Sequence, residues 1–83
     1  MQYKPEALRK KREAWKMTQE QLAKTLGISV NTLASYESGK TEPDSEMLFK
    51  MAPVFNITVD ELLRLFWGPD SESLPSLAKN AVL

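Results

Sequence analysis

Hydrophobic side chains recur every three or four residues along most of this chain, which is the spacing that places them on one face of an α-helix. No segment alternates apolar and polar residues as a half-buried β-strand does. Residues that start or stop helices divide the pattern into short segments. We therefore predict an all-α domain built from five helices.

Capping residues mark where the predicted helices begin and end. Proline, which suits the first helical turn, opens one helix, and Thr, Ser or Asp, which are favoured N-caps, open the other four. Two of these caps are followed three residues later by Gln or Glu, which completes a capping box. The predicted helices, with their caps, are Pro5–Ala14, Thr18–Gly27, Ser29–Gly39, Asp44–Asn56 and Thr58–Trp67.

One residue interrupts the fourth predicted helix. Pro53 has no backbone N–H, and its ring crowds the preceding turn, so a helix seldom continues past such a position. We expect this helix to kink or end near Ala52. That expectation leaves the placement of Val54 and Phe55 open.

The chain is long enough for one small domain. Its 83 residues, 42% of them hydrophobic, provide a single core and no room for a second. We assign residues 1–67 to this domain. We predict that residues 68–83 form a linker or C-terminal tail. Residues 68–76 are rich in Ser, Pro and acidic residues, and the apolar positions after them have the spacing of a short, dimer-associated helix.

Composition excludes most catalytic chemistry. The chain contains no Cys and no His, which removes disulfides, Cys/His zinc sites, thiol nucleophiles and imidazole-assisted triads. We predict no enzyme activity, no metal and no cofactor; the remaining enzyme alternative is a walled pocket that holds paired acids. No apolar stretch matches a membrane span or a leader, so we expect a cytoplasmic protein with no membrane partner.

Charge is unevenly distributed although the net charge is zero. Residues 1–43 contain eight Lys or Arg and five Glu, whereas residues 44–83 contain three Lys or Arg and six acidic residues. The first half is therefore suited to face a polyanion while the second half faces away from it.

The two predicted helices that flank Gly27 have the spacing of a helix-turn-helix. Ala23 is small where the second helix would cross closely, and Gly27 permits the positive φ of a sharp turn. Ile28 and Leu33 would then fill the crossing. The alternative interpretation is an ordinary helical hairpin that buries its own core, which is common in all-α domains.

Further motifs accompany this segment: Thr18-Gln19-x-x-Leu22-Ala23, Leu26-Gly27-Ile28-Ser29, Tyr36-Glu37-x-Gly39-Lys40-x-x-Pro43 and Ile57-Thr58-Val59-Asp60-Glu61-Leu62. Over residues 5–67 the chain resembles the Cro and phage-repressor type of helix-turn-helix, also called the xenobiotic response element family. The resemblance implies a lambda-repressor-like bundle and a sequence-specific DNA-binding regulator. It also implies a homodimer on double-stranded DNA, acting as a repressor at a roughly palindromic operator.

The resemblance further implies that the third predicted helix reads bases. Leu33, Tyr36 and Glu37 would face the core, and the opposite face would lie in the major groove. There, Val30 suits a thymine methyl and Asn31 suits an adenine, although an isolated surface Val is also common in any protein. The implied base-contacting residues are Ser29, Val30, Asn31, Ala34 and Ser35.

Other positions match the family's phosphate contacts and its internal ion pair. A helix N-terminus favours an anion through its N–H groups and dipole, and a solvated charge is the alternative for any one lysine. The implied phosphate contacts are Thr18, Gln19, Thr32 and Lys40.

Arg12 and Glu37 match an ion pair between the first and third helices. The alternative is two unrelated solvated side chains.

The fifth predicted helix ends with more apolar residues than one helix face buries. We expect the core to take Val59, Leu62, Leu63 and Phe66. Leu65 and Trp67 would then remain at the rim, and we predict that they form a homodimer interface. The alternative is that residues 74–83 fold back and cover this patch.

A second function is compatible with the same fold, namely a protein-interaction module such as an antitoxin or a partner-binding regulator. A DNA reader would keep certain polar side chains accessible and unpaired: Gln19, Asn31, Ser35 and Lys40. An interaction module would instead use the Leu65–Trp67 end as its main surface. The reading face also lacks Arg, Lys and Gln, so specificity would rest on small groups and on DNA shape.

Overall fold

The computed structural model describes residues 2–68, which form five α-helices and contain no strand. The predicted number and order of helices are confirmed. Of the predicted tail at 68–83, only Gly68 lies within the described residues. The helices are α1 (Pro5–Ala14), α2 (Gln19–Leu26), α3 (Val30–Ser38), α4 (Ser45–Val54) and α5 (Val59–Trp67).

The helix caps predicted from the sequence are present. The side chain that precedes each of α2 to α5 accepts a hydrogen bond from a first-turn backbone N–H, a donor that the helix itself leaves unpaired. Both predicted capping boxes form: the side chains of Gln21 and Glu61 accept hydrogen bonds from the backbone N–H groups of Thr18 and Thr58. Local chemistry therefore sets these boundaries, at Thr18, Ser29, Asp44 and Thr58.

Apolar side chains from all five helices meet in one core. α1 packs on α3 and α5, α2 packs on α3 and α4, and α4 packs on α5. Leu8, Leu33 and Leu62 have no exposed surface at all. None of these five helices exceeds ten residues, a length that is marginal for an isolated helix in water, so their stability comes from the shared core.

The segment before α1 is bound to the body of the domain by Tyr3, a residue that sequence reasoning missed. Its ring packs edge-on against Phe66, with centroids 5.7 Å apart, and its hydroxyl donates to the Tyr36 carbonyl at 2.8 Å. The Lys4 backbone N–H donates to the Phe66 carbonyl at 2.7 Å. Burial, with a further contribution from the charge of Glu37, raises the pKa of Tyr3.

α4 ends at Val54, two residues after Ala52, close to where its end or a kink was expected. α4 continues through Pro53 to Val54, and Phe55 is 1% exposed in the core. Pro53 lies one residue before the end of the helix, where its fixed φ is helical and the chain leaves the helix soon afterwards. The Phe55 N–H still donates to the Met51 carbonyl at 3.1 Å, so the last turn stays intact.

The expected distribution of apolar residues on α5 is partly wrong. Leu62 and Phe66 are buried, but Leu63 is 41% exposed instead of lying in the core. Trp67 is half-buried, because its ring packs against Tyr3 at a centroid distance of 5.2 Å. Leu65, at 38% exposure, lies at the rim as expected.

Within residues 2–68, four residues adopt positive φ, and three of them, two Gly and one Asn, are of types that tolerate it. Gly27 and Gly39 end α2 and α3 at φ values of 74° and 83°, and Asn56 follows α4 at 57°. Lys16, between α1 and α2, has a φ of 60° although it is neither Gly nor Asn. Its Cβ is crowded by the backbone in this conformation, so the α1–α2 turn is locally strained.

Replacing Lys16 by Gly should relieve this strain. We expect Lys16→Gly to raise the free energy of unfolding by about 0.5–1 kcal/mol, since the steric relief exceeds the extra entropy that glycine loses on folding. Thermal and urea denaturation measure the change. Asn56→Gly is the matched control and should gain less, because Asn already tolerates this conformation. A loss of stability in Lys16→Gly would contradict the strain.

Candidate nucleic-acid interface

The corner between α2 and α3 has the geometry that the sequence predicts. Ala23 is 1% exposed under the crossing, and the Ile28 N–H donates to its carbonyl at 2.9 Å. A Cβ on Gly27 would meet nothing within 4 Å, so its positive φ, and not lack of space, selects glycine. The two helices are thereby held as a rigid helix-turn-helix.

α3 turns one face to the core and the opposite face outward. Leu33 and Glu37 are buried, and Tyr36 is half-buried beside them. The predicted base-contacting residues lie on the other side: Ser29, Val30 and Asn31 are exposed, whereas Ala34 and Ser35 are half-buried.

A further residue belongs to this outer face and was not identified from the sequence. Ser38 is exposed and lies three positions after Ser35 and seven after Asn31, which places all three on one helix face. Its hydroxyl donates to the Ser35 carbonyl at 3.2 Å. Helical spacing alone identifies Ser38 as part of this face. Its position directly before Gly39 had indicated only the end of the helix.

Two of the predicted DNA contacts pair with each other at the start of α3. The Ser29 hydroxyl oxygen accepts from the Thr32 N–H at 3.0 Å and lies 2.9 Å from the Thr32 hydroxyl oxygen. Ser29 therefore serves as the N-cap. Both hydroxyl groups retain some capacity for one further partner each.

The N-terminus of α2 carries Thr18 and Gln19. Thr18 is exposed and caps the helix, so the first-turn N–H groups point outward beside it. The expectation that Gln19 stays unpaired is wrong, because Gln19 Nε2 donates to Glu37 Oε1 at 3.1 Å. The side chain of Gln19 is half-buried in this contact.

Arg12 and Glu37 form an ion pair between α1 and the end of α3. Arg12 Nε donates to Glu37 Oε2 at 2.7 Å and Nη2 donates to Oε1 at 3.1 Å, a two-pronged arrangement. The two side chains are only 11% and 5% exposed. The hydrogen bond to Glu37 raises the pKa of Arg12 above its usual value, with burial acting in the opposite direction.

The loop after α3 presents Lys40. Its backbone N–H donates to the Ser35 carbonyl at 3.0 Å, so the main chain is held against the end of α3 while the side chain is exposed. Gly39 makes this turn at positive φ, and a Cβ there would approach Pro5 to 3.1 Å. Lys40 is therefore a positive charge on an anchored backbone.

The described part of the chain offers little for other chemistry. Among residues 2–68, no cluster of three acidic side chains is arranged to hold a metal ion. A surface depression lined by Gln2, Tyr3, Pro5, Gly39 and Glu42 contains one carboxylate and no pair of acids. Of the five helices, none is long and apolar enough to cross a membrane.

A family model described as helix-turn-helix, HTH_3, matches residues 8–62, which include the whole of α2, α3 and α4. The chain belongs to the helix-turn-helix family. The resemblance to Cro and phage-repressor proteins is confirmed by this match, and the lambda-repressor-like bundle by the architecture of the described helices.

Known proteins share this helix-turn-helix domain. The cryptic phage CTXphi transcriptional repressor RstR of Vibrio cholerae is 42% identical over 57 residues, which make up 69% of this chain and 51% of RstR. The transcriptional activator BcrR of Enterococcus faecalis is 41% identical over 58 residues, 70% of this chain and 28% of BcrR. This helix-turn-helix chain thus spans about half the length, or less, of these relatives.

A solved structure shows the same architecture. The P22 c2 repressor, determined in complex with a synthetic operator, superimposes with a TM-score of 0.69 and is 28% identical. The superposition covers 83% of this chain and 100% of the P22 chain. The two chains therefore share one overall fold around the helix-turn-helix.

Removing either partner of the ion pair should destabilise this domain, because the other charge would remain buried. We expect Glu37→Ala to lower the free energy of unfolding by about 3–5 kcal/mol, because Arg12 would stay buried without its anion. Arg12→Ala should cost a similar amount, and the double variant should resemble either single one. Chemical denaturation measures all three. Arg9→Ala, an exposed control on the same helix, should change stability little; additive losses for Arg12 and Glu37 would contradict the coupling.

Proposed function

We propose that this protein is a sequence-specific DNA-binding regulator of transcription that acts in the cytoplasm. The observation that carries the proposal is the outer face of α3, where small and uncharged polar side chains are exposed opposite a buried ion pair. The regulators RstR and BcrR, and the operator-bound P22 c2 repressor, support it. No catalytic step is part of this function.

Base recognition is proposed for the outer face of α3. An amide such as Asn31 pairs in two places with adenine in the major groove, and the methyl groups of Val30 and Ala34 suit the thymine methyl. Ser29 and Ser35 add short hydroxyl contacts. Glu37 is the only charged residue among positions 29–38, and it is buried. The outer face of α3 therefore carries no charge that would attract or repel a phosphate, and its contacts go to bases.

Phosphate contacts are proposed for the residues on either side of that face. Thr18 and Gln19 lie at the N-terminus of α2, where outward N–H groups favour an anion. Thr32 and Lys40 are proposed to bind the backbone of the other strand, with Lys40 as the positive charge. These contacts position the protein on any duplex and carry little sequence information.

A homodimer is proposed to form through the C-terminal end of α5. Leu65 and Trp67 are two positions apart on the helix and so point in directions about 200° apart. Both belong to the last turn, however, so a partner that covers the end of α5 contacts both. Leu63, one turn before Trp67, extends this surface with its exposed side chain.

Repression is the proposed mode of regulation. A dimer that occupies an operator excludes polymerase from the same DNA. This mechanism needs DNA binding alone and no surface that recruits polymerase. RstR and the P22 c2 protein are repressors, whereas BcrR is an activator.

The alternative function is a protein-interaction module of the same fold, an antitoxin or a partner-binding regulator. Its support is Phe49 on α4, which is 66% exposed and belongs to no proposed DNA contact. Gln19 pairs with Glu37, which differs from the expectation for a DNA reader, although this leaves the second N–H of its amide for another acceptor. In this alternative, DNA contact is secondary.

Selection of bound duplexes from a random pool tests the function. We expect a palindrome with half-sites about 10 base pairs apart, because a two-fold dimer presents two α3 helices to successive major grooves. Sedimentation of the complex should give two chains per duplex, with Leu65→Glu weakening assembly and Phe49→Ala leaving it unchanged. The dimer fails if one chain binds a non-palindromic site, and specific recognition fails if no consensus emerges.

Two substitutions separate base reading from phosphate binding. Asn31→Ala should cost roughly 1–3 kcal/mol on the selected site and little on random DNA. Lys40→Ala should weaken binding to both alike and should reduce the log–log salt slope by about 0.9 for each phosphate lost. Fluorescence titrations at several salt concentrations measure both effects. Equal losses on the two DNAs for Asn31→Ala would remove it from base reading.

A further inference from the structure

One carboxylate in the interface accepts more hydrogen bonds than an ion pair requires. Arg12 alone supplies a donor to each oxygen of Glu37, yet Gln19 Nε2 adds a third hydrogen bond to Oε1 at 3.1 Å. Glu37 lies at the end of α3, and Gln19 is the first residue of α2. This carboxylate therefore joins both helices of the helix-turn-helix to α1 at one point.

The chemistry of the carboxylate determines which way the Gln19 amide faces. An ionised carboxylate only accepts hydrogen bonds, so the amide must present its NH2 group, and not its carbonyl, to Glu37. One of the two N–H bonds is used in this contact. Because the amide is planar, the second N–H points about 120° away from the first and remains available for another acceptor.

Arg12 makes this arrangement compatible with a nearby anion. An uncompensated carboxylate beside the N-terminus of α2 would repel a phosphate and oppose the attraction of the helix dipole. Arg12 donates to both oxygens of Glu37 and is itself mostly buried. The pair is therefore close to neutral as a unit, and Glu37 orients Gln19 with little repulsion.

We propose that Glu37 is a positioning residue for DNA binding. It holds the amide of Gln19 before DNA arrives, so that the second N–H is directed to a phosphate at the N-terminus of α2. This rests on the proposed DNA-binding function and gives Glu37 a task beyond stabilising the fold.

A binding cycle tests this role. In the wild type, Gln19→Ala should weaken binding about tenfold on cognate and random duplexes alike, which is the size of a hydrogen bond to a charged group. In a Glu37→Gln background the same substitution should change affinity less than about twofold, because a single acceptor oxygen remains, the charged Arg12 competes for it, and the Gln19 amide loses its fixed orientation. An equal loss in both backgrounds would overturn the proposal.

Asn31→Ala provides the matched control within the same cycle. Its loss on the cognate site should be the same in the wild-type and Glu37→Gln backgrounds, because Asn31 makes no contact with the carboxylate. If Glu37→Gln also removes the Asn31 contribution, the carboxylate supports α3 in general and the positioning role is overturned. If the wild type binds no duplex at all, the proposed function itself fails.

A measurement on the unmodified protein covers the case in which Glu37→Gln does not fold. Nitrogen-15 relaxation reports the order of side-chain NH2 groups in the free wild type. The amide of Gln19 should be ordered without DNA, whereas that of the exposed Gln2 should be mobile. A Gln19 amide as mobile as that of Gln2 would overturn the proposal.

Discussion

The buried ion pair between Arg12 and Glu37 is the contact on which the rest of the interface depends. It joins α1 to the end of α3 through two hydrogen bonds, and Arg12 Nη1 also donates to the Met17 carbonyl at 2.8 Å. One guanidinium thus joins the end of α3 to the α1–α2 loop. Removing either partner leaves a buried charge, so this junction requires both side chains.

In the proposed function, α3 and the elements around it have different roles in DNA binding, because the charged residues lie mainly outside α3. α3 exposes small and uncharged groups, whereas the positive excess of residues 1–43 resides in α1 and the loops. In the proposed function, that excess would attract a polyanion at long range, and short contacts on α3 would discriminate bases. Gln19 connects the two, since it lies at a proposed phosphate-binding position and bonds to a carboxylate at the end of α3.

Sequence reasoning was accurate where a residue acts on its immediate neighbours. Thr18, Ser29 and Asp44 cap their helices as predicted, because a cap and its donor are only two or three residues apart. Pro53 was expected to stop α4 near Ala52, and the helix ends one residue after the proline. The prediction was wrong about Leu63, which is apolar but 41% exposed, whereas Leu62 and Phe66 are buried in the core.

The helices, their caps and the glycine turn could be predicted from the chain alone, since each depends on spacing within a few residues. The family followed from motifs spread over residues 5–67, and that resemblance pointed to Arg12 and Glu37. Helix packing was needed to show that Tyr3 binds the Tyr36 carbonyl, that Trp67 is partly covered by Tyr3, and that Gln19 shares the carboxylate of Glu37. These contacts join residues 18 to 64 positions apart, and no local pattern records a pairing that arises only when helices pack.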